Sequence, residues 1–454
     1  MNKFVESGIE RAYPMRVDGQ LIEFRTQNHR SLRDEQVISL VAASEGHPWL
    51  IHPVGLSETL LPVAAIYGAN ASGKSNVLDA LAFMAKAVAF SQRTWQPDLG
   101  IPRHPHLLLT TDDESLPSMF AVQMMVSGVR YEFGFAVTDD AVVEEWLNAW
   151  PSGRKQEWYS RDGRSFDFGR NLSGENKAIE ALTRPNSLFL SAAAQNNHPQ
   201  LTPIYQWFSK RLRVLGFSGS TSTDLRLRGA FRWWEQFSEK NLNQAKLFPD
   251  DLDRRRGQVR SLLTSSDLGI EDFMVEEDRS PSSRGHQGDT NPRRPQLTFA
   301  HENKANQMRV WFELEQESTG TQVLVSILPH LLHILEEGGL LAIDELNSLH
   351  PTLALAIVRL FQDPAKNPRG AQLLFNTHES TLLGNLLSDP PPLRRDQVWL
   401  TEKDRDGATH LYPLTDFSPR PTENLQRGYL QGRYGAIPFI GALDLATKSE
   451  SDAT

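Results

Sequence analysis

The 454-residue sequence contains no cysteine. Disulfides and thiolate zinc sites are excluded, so stability rests on a hydrophobic core, which a chain of this length can build. Its 13 histidines form no dense cluster, and no histidine-rich metal centre is expected. No apolar run approaches the ~20 residues of a membrane span, and no signal-peptide pattern opens the chain, which points to a cytoplasmic protein without membrane contact. An excess of basic residues is also lacking. The net charge of −9 argues against a broadly basic surface that coats nucleic acid, while leaving room for a local basic patch. Internal repeats and heptad runs long enough for a coiled coil are absent.

Against these absences stands one stretch, Gly68-Ala-Asn-Ala-Ser-Gly-Lys-Ser75, which satisfies G-x-x-x-x-G-K-[ST] at every fixed position. The apolar run Leu61 to Tyr67 precedes it and reads as a buried strand. Val77, Leu78, Leu81, Met84 and Val88 follow at helical spacing. A glycine-rich turn between strand and helix points successive N–H groups at a polyphosphate, and the helix N-terminus adds partial positive charge. Gly68, Ala69, Asn70, Ala71, Ser72, Gly73, Lys74, Ser75 and the following Asn76 are the expected nucleotide contacts, with Lys74 reaching the β/γ-phosphates and Ser75 holding Mg²⁺.

A second constellation lies far downstream. Gly338-Gly-Leu-Leu-Ala-Ile-Asp-Glu345 is an apolar strand ending in two carboxylates. Asp344 is placed to bind Mg²⁺ and Glu345 to orient or deprotonate an attacking water. Taken alone, the pair also fits a helix cap; together with the phosphate loop it reads as ATP hydrolysis.

Between and around these motifs the chain divides as follows. Residues 1–20 read as an N-terminal extension. Leu21 to Phe24 and Val37 to Val41 read as a hairpin around Asn28-His-Arg-Ser31. From Ser118 to Trp150, and on through Trp158-Tyr159 and Phe166 to Phe168, apolar stretches alternate with turn signals such as Ser127-Gly128 and Asp139-Asp140, an antiparallel meander. Together these make a first half, 21–199. Ser187 to Leu190 reads as a short strand leading into a helix with Ile204, Trp207, Phe208 and Leu212. Residues 200–295 read as a helical insertion carrying Phe231, Trp233, Trp234, Phe237 and the basic run Arg254-Arg255-Arg256, with a flexible loop at 277–295. In the second half, 296–454, strands return at QLTFAH and MRVWFEL, followed by an apolar helix through Leu335. Strands Leu340 to Ile343 and Gln372 to Asn376 flank a helix from Leu353 to Phe361, and VWL and THLYPL close a hairpin. Strands alternating with helices predict an α/β doubly wound sheet.

These motifs resemble the ABC-type ATPase heads, the class that includes SMC and RecF proteins, and in particular the ATPases of abortive-infection and OLD-like bacterial defence systems. The resemblance implies an ABC-type P-loop NTPase head with an antiparallel β meander and an inserted helical lobe. It implies further roles residue by residue. Asn347-Ser-Leu-His-Pro351 stands where the D-loop falls, and His378, in Phe375-Asn-Thr-His378, where the switch histidine senses the γ-phosphate. Glu317-Ser-Thr-Gly-Thr-Gln322 occupies the place of the signature, with Ser318 and Gly320 at a helix start that would reach a nucleotide held by a second subunit; only one of the usual two glycines is present, and an ordinary N-cap by Ser318 competes. Gln195 falls where the Q-loop should lie, or is a surface amide. Arg30 touches phosphate or adenine, or is a solvated hairpin charge. The run Asn424 to Phe439 resembles the C-terminal run of the same ATPases, with sheet-edge packing and effector docking both open.

The implied function is an ATP-dependent homodimer, or higher homo-oligomer, acting as sensor or motor of a phage-defence system with a separate nuclease or toxin as effector. The tail after His378 is short for a nuclease domain and lacks an acidic cluster; Glu402 and Asp404 sit in a hairpin turn. The alternative is a slow-turnover, nucleotide-gated clamp or scaffold in DNA repair or chromosome maintenance. A GTPase is disfavoured by the absence of N-K-x-D. Arg254 to Arg256 with the nearby tryptophans would contact nucleic acid, or form a solvated helix face over core aromatics.

Overall fold

The computed structural model describes residues 17–108, 116–216, 233–238, 249–266, 269–277, 295–303, 305–306, 308–420 and 423–438. Two sheets dominate. The first is a seven-stranded antiparallel meander in the order β2-β1-β4-β5-β6-β7-β8, with β1 at Leu21–Gln27, β2 at Gln36–Ser39, β4 at Ser118–Val126, β5 at Val129–Val137, β6 at Val142–Trp150, β7 at Gln156–Asp162 and β8 at Ser165–Phe168. The expected N-terminal hairpin forms, with Phe24 opposite Ile38. The second sheet is six-stranded, ordered β16-β15-β3-β14-β13-β9, with β3 at Val63–Gly68, β9 at Leu212–Leu215, β13 at Leu340–Ile343, β14 at Gln372–Asn376, β15 at Val398–Lys403 and β16 at Thr409–Pro413. All its pairs are parallel except the closing β15–β16 hairpin.

The six-stranded sheet is apolar on both faces because each is covered. In β3, Ala64 and Ile66 face a core shared with α1 (Lys74–Thr94) and the meander. Val63, Ala65 and Tyr67 face a second core, with α6 (Thr319–Glu337) and α7 (Pro351–Phe361). The same alternation divides Leu340 and Ala342 from Leu341 and Ile343 in β13. The helical stripe read from sequence, Val77, Leu78, Leu81, Met84 and Val88, is the buried face of α1.

Several elements differ from the sequence reading. Residues 17–20 are tied down: Gly19 N donates to Met125 O at 3.1 Å, Trp207 Nε1 donates to Gly19 O at 2.7 Å, and Gln20 is buried. Between α2 (Asn176–Leu182) and α4 (Thr202–Gln206), the expected strand Ser187 to Leu190 is instead a bend and N-cap, Ser187 and Leu188, running into helix α3 (Phe189–Gln195). The reason lies outside the segment. The buried carboxylate of Glu145, on β6, accepts from Phe189 N at 2.7 Å and Leu190 N at 3.0 Å, supplying the cap that the local sequence lacks. Leu212 is in strand β9, which follows a π-helical turn at Trp207–Arg211. The stretch read as a helical insertion contains α5 (Pro249–Ser265), yet it also supplies β9 to the main sheet and β10 (Ile270–Glu277) to a small sheet. That sheet runs β10-β11-β12, with β11 at Pro295–Asn303 and β12 at Met308–Glu313, and it leads into α6. Trp234 and Phe237 are buried against Phe273 and Arg256 lies over the Phe273 ring, so the aromatics here are core and not a stacking platform. Phe231 and most of 277–295 lie outside the described residues.

Candidate functional site

The phosphate loop joins the C-terminal end of β3 to α1. Its geometry demands its small residues: a Cβ on Gly68 would collide with Thr401 and Ser72, and Gly73, at φ 102°, would collide with Thr409 and Ser31. Ala71 also takes a left-handed conformation, φ 62°. Ser72 Oγ and Thr401 Oγ1 lie 2.7 Å apart, and Thr409 Oγ1 donates to Ser72 O at 2.8 Å, so the β15–β16 hairpin buttresses the loop. Lys74 Nζ arches over the loop, donating to Gly68 O at 2.9 Å and Ala69 O at 2.8 Å. Burial lowers the Lys74 pKa from its ordinary value, against the opposing pull of the Glu345 and Asp344 carboxylates.

The parallel register brings the strand ends of β3, β14 and β13 side by side, which is where ligands gather on such sheets. Ser75 Oγ donates to Asp344 Oδ1 at 2.8 Å. Asn376, at the end of β14, completes the cluster: its Nδ2 donates to Asp344 Oδ1 and, at 3.4 Å, to Ser75 Oγ, while its Oδ1 accepts from Glu345 N. Asp344 is buried, whereas Glu345 is exposed and holds a left-handed backbone, φ 59°, at the turn out of β13. His378 is exposed two residues past Asn376, on the same edge of the sheet.

The turn of the N-terminal hairpin reaches the same loop. Asn76 Nδ2 donates to Ser31 Oγ at 2.6 Å, and Ser31 Oγ lies 2.7 Å from Thr409 Oγ1. Arg30, φ 52°, is paired with Asp79 on α1, which also binds the buried His29 Nε2 at 2.8 Å. Burial disfavours the Asp79 charge, but the hydrogen bonds from His29 and Arg30 outweigh it and hold the carboxyl well below its usual range. Beside Arg30 and Ser31 opens a pocket of about 500 Å³ with His104, Pro105, Leu107 and Lys403 in its wall.

Two expected contacts are not brought together with this cluster. Gln195 is exposed at the end of α3, which packs on the far end of α1: Gln92 N donates to Ser191 Oγ at 3.2 Å. Gln92 lies about 27 Å along the helix from Lys74. Ser318 caps α6 by accepting from Thr321 N at 3.1 Å, and a Cβ on the half-buried Gly320 would meet Ser318 Oγ at 3.8 Å. Asn347 to Ser348 form the 3₁₀ turn that follows Glu345, and His350 caps α7.

Asn376, Asp79 and the pair Thr401 and Thr409 are what the sequence reading missed. Only Asn376 left a signal, an amide closing an apolar strand. The donor set at Ser75 and Asp344 is a hydroxyl and a carboxylate, hard oxygen ligands of the kind Mg²⁺ takes, and the loop N–H groups with Lys74 suit the phosphates that would complete its shell.

Residues 63–384 match the family described as "AAA domain, putative AbiEii toxin, Type IV TA system". The chain belongs to that family. It therefore carries an AAA domain, and the phosphate loop lies inside the matched residues. No curated protein matches it in sequence. Among solved structures it is similar to the SMC head domain from Thermotoga maritima, at 13% identity over 87% of this chain and 98% of that one, TM-score 0.37. It is also similar to an Smc head with a coiled coil and joint from Pyrococcus yayanosii, at 11% identity over 91% and 99%, TM-score 0.41. A third, an Smc head from Pyrococcus furiosus bound to the C-terminal domain of ScpA, aligns at 11% identity over 91% and 99%, TM-score 0.39. No helix among the described residues is long and apolar enough to cross a membrane.

Proposed function

We propose that this chain binds Mg-ATP in the cluster built on Lys74, Ser75, Asp344 and Asn376 and hydrolyses it, with Glu345 positioning and deprotonating the attacking water. The observation that carries this reading is the convergence of a hydroxyl and a buried carboxylate at 2.8 Å beside a lysine arched over the phosphate loop. A bound Mg²⁺ would neutralise charge developing on the phosphates. The protein's own groups do the rest. Lys74 and the loop N–H groups bind and orient the phosphates, Asn376 fixes Asp344 and the Glu345 backbone, and His378 stands at the strand end as the phosphate sensor.

In this reading Ser318 and Gly320, at the start of α6, serve the nucleotide of a second subunit, and the cell uses the ATP-closed homodimer as the cytoplasmic sensor or motor of a phage-defence system with a separate effector. The match to a family described by a toxin of a toxin–antitoxin system supports that assignment. The test is the solution mass of Glu345→Gln with and without Mg-ATP, read beside turnover of the unaltered chain. A mass that doubles with Mg-ATP, and fails to double when Ser318→Arg is added, is the expected result. No nucleotide binding overturns the site, and binding without a change in mass overturns the composite dimer.

A further inference from the structure

β12 is an edge strand of the β10-β11-β12 sheet, and every one of its six residues is exposed. Its sequence, Met308-Arg-Val-Trp-Phe-Glu313, is that of an interior strand. Met308 is 63% exposed, Val310 41%, Trp311 39% and Phe312 38%. An exposed strand so rich in apolar and β-branched residues is a template for another strand, and soluble proteins ordinarily blunt it. The outward side of the backbone is marked by Glu313 N–H, which Gln316 Oε1 holds at 2.8 Å in the capping box of the next 3₁₀ turn. Since N–H groups alternate along an antiparallel ladder, those of Arg309 and Trp311 share that outward side. Among the described residues no strand pairs there.

The charges on β12 select the occupant. A two-fold axis that pairs an edge antiparallel with its own copy stands perpendicular to the sheet and keeps the same face up in both, so opposed residues are both odd or both even in number. Centring the axis on Arg309 or on Glu313 opposes like charges. Centring it on Val310 sets Arg309 against Trp311, and centring it on Phe312 sets Trp311 against Glu313. Only the register centred on Trp311 puts each Arg309 opposite the other copy's Glu313. It also stacks Trp311 on itself and Val310 against Phe312, the aromatic, β-branched and opposite-charge pairs that stabilise sheets. Arg309 now leans on Glu271, at 3.4 Å, and on Asp272, at 3.9 Å, while Glu313 accepts from Gln296 Nε2 at 2.6 Å and from the Gln316 backbone; both remain exposed at the edge.

The geometry points to a second, nucleotide-independent interface: two copies of this chain join β12 edge to edge, antiparallel about Trp311, into one six-stranded sheet. The interface goes beyond the ATPase reading and does not depend on it. Because β12 runs through a single 3₁₀ turn, Leu314–Gln316, into the Ser318 cap of α6, pairing would fix the entry of the helix proposed to sense the other subunit's nucleotide.

The test is light scattering on the full chain, free of nucleotide, over a concentration series. The unaltered chain is expected to dimerise without ATP, so the doubling expected with Mg-ATP runs from dimer to tetramer, each copy meeting one partner through β12 and another through its nucleotide. Arg309→Glu and Glu313→Arg, each placing like charges in contact twice over, should weaken the dimer about tenfold or more, and the double charge swap should restore it. Trp311→Lys, at a solvent-exposed position that leaves the core intact, should give monomers with unaltered thermal unfolding. A chain that is monomeric throughout overturns the proposal and leaves β12 to a different protein. A dimer indifferent to both single reversals overturns it as well, and a double variant as weak as the singles overturns the register.

Discussion

Ser75 and Asp344, separated by 269 positions in sequence, share a hydrogen bond of 2.8 Å at the foot of α1. Neither residue has a strong local reason to face the other. They meet because β13 and β3 are both parallel partners of β14, so that Asn376 sits between them and ties their ends together.

Lys74→Ala should therefore leave the fold in place and weaken ATP binding. The ammonium makes charge-assisted bonds that contribute about 1.5–3 kcal/mol, or roughly a tenfold to hundredfold rise in Kd. Titration of a fluorescent ATP analogue with Mg²⁺ measures it, and an unchanged Kd would remove the phosphate-loop role.

Glu345→Gln keeps the shape of the turn and removes the base. Turnover is expected to fall about 10²–10⁴-fold while binding persists. A phosphate-release assay run beside the binding titration separates the two, and normal turnover would place the base elsewhere.

Asn376→Ala removes the amide that joins Asp344, Ser75 and the Glu345 backbone. Its part is to position the Asp344 carboxylate and the Glu345 backbone. Its loss should raise the Mg²⁺ concentration needed for half-maximal activity, with Asn376→Asp failing to rescue because a second carboxylate would face Asp344. An Asn376→Ala chain with an unaltered Mg²⁺ dependence would reduce the amide to packing.

Glu145 illustrates stability built away from the site. It is fully buried, accepts from Tyr159 Oη at 2.8 Å as well as from the first turn of α3, and faces Arg161 at 3.7 Å. Burial raises its pKa, against Arg161 and its hydrogen bonds. Glu145→Ala removes the counter-charge of Arg161, whose guanidinium keeps only the carbonyls of Gly163, Pro185 and Ser187, and leaves two helix N–H groups without their acceptor; it is expected to cost about 3–5 kcal/mol, read from urea unfolding. Tyr159→Phe should cost about 1 kcal/mol.

The acid limb of stability should carry the mark of His330, on α6. Burial, with Arg213 and His333 nearby, lowers its pKa from 6.5 to about 4. A base whose folded pKa is depressed binds its proton first in the unfolded chain. Its contribution is complete above pH 6.5 and is lost as the pH falls toward 4. His330→Leu should flatten thermal stability across that window and leave it unchanged above it.

The phosphate loop and the Asp344-Glu345 strand end were legible because each is a local pattern whose chemistry depends on nearest neighbours. The meander was legible for the same reason, period-two alternation broken by Ser127-Gly128 and Asp139-Asp140. What escaped was set by distant partners. The start of α3 is capped by Glu145 of another element, so Ser187 to Leu190 looked like a strand. β9 is four residues long and becomes a strand only by lying beside β13. Gln195 was placed by analogy of position, yet α3 is anchored to the wrong end of α1 for that role. Asn376 acquires its part from a register between three strands, which no single stretch of sequence displays.

The order of strands in the six-stranded sheet also has a history written into it. β3 is buried throughout and flanked by β14 and β15, both from the last part of the chain. As the polypeptide leaves the ribosome, Ser75 precedes Asn376 by 301 residues, which at common synthesis rates is about 15–60 s. During that interval the meander and α1 can close on each other, but the strand carrying the phosphate loop has no neighbour on either side. A nascent chain thus cannot assemble its nucleotide site, and it exposes an apolar ribbon that a chaperone would recognise until its last strands arrive.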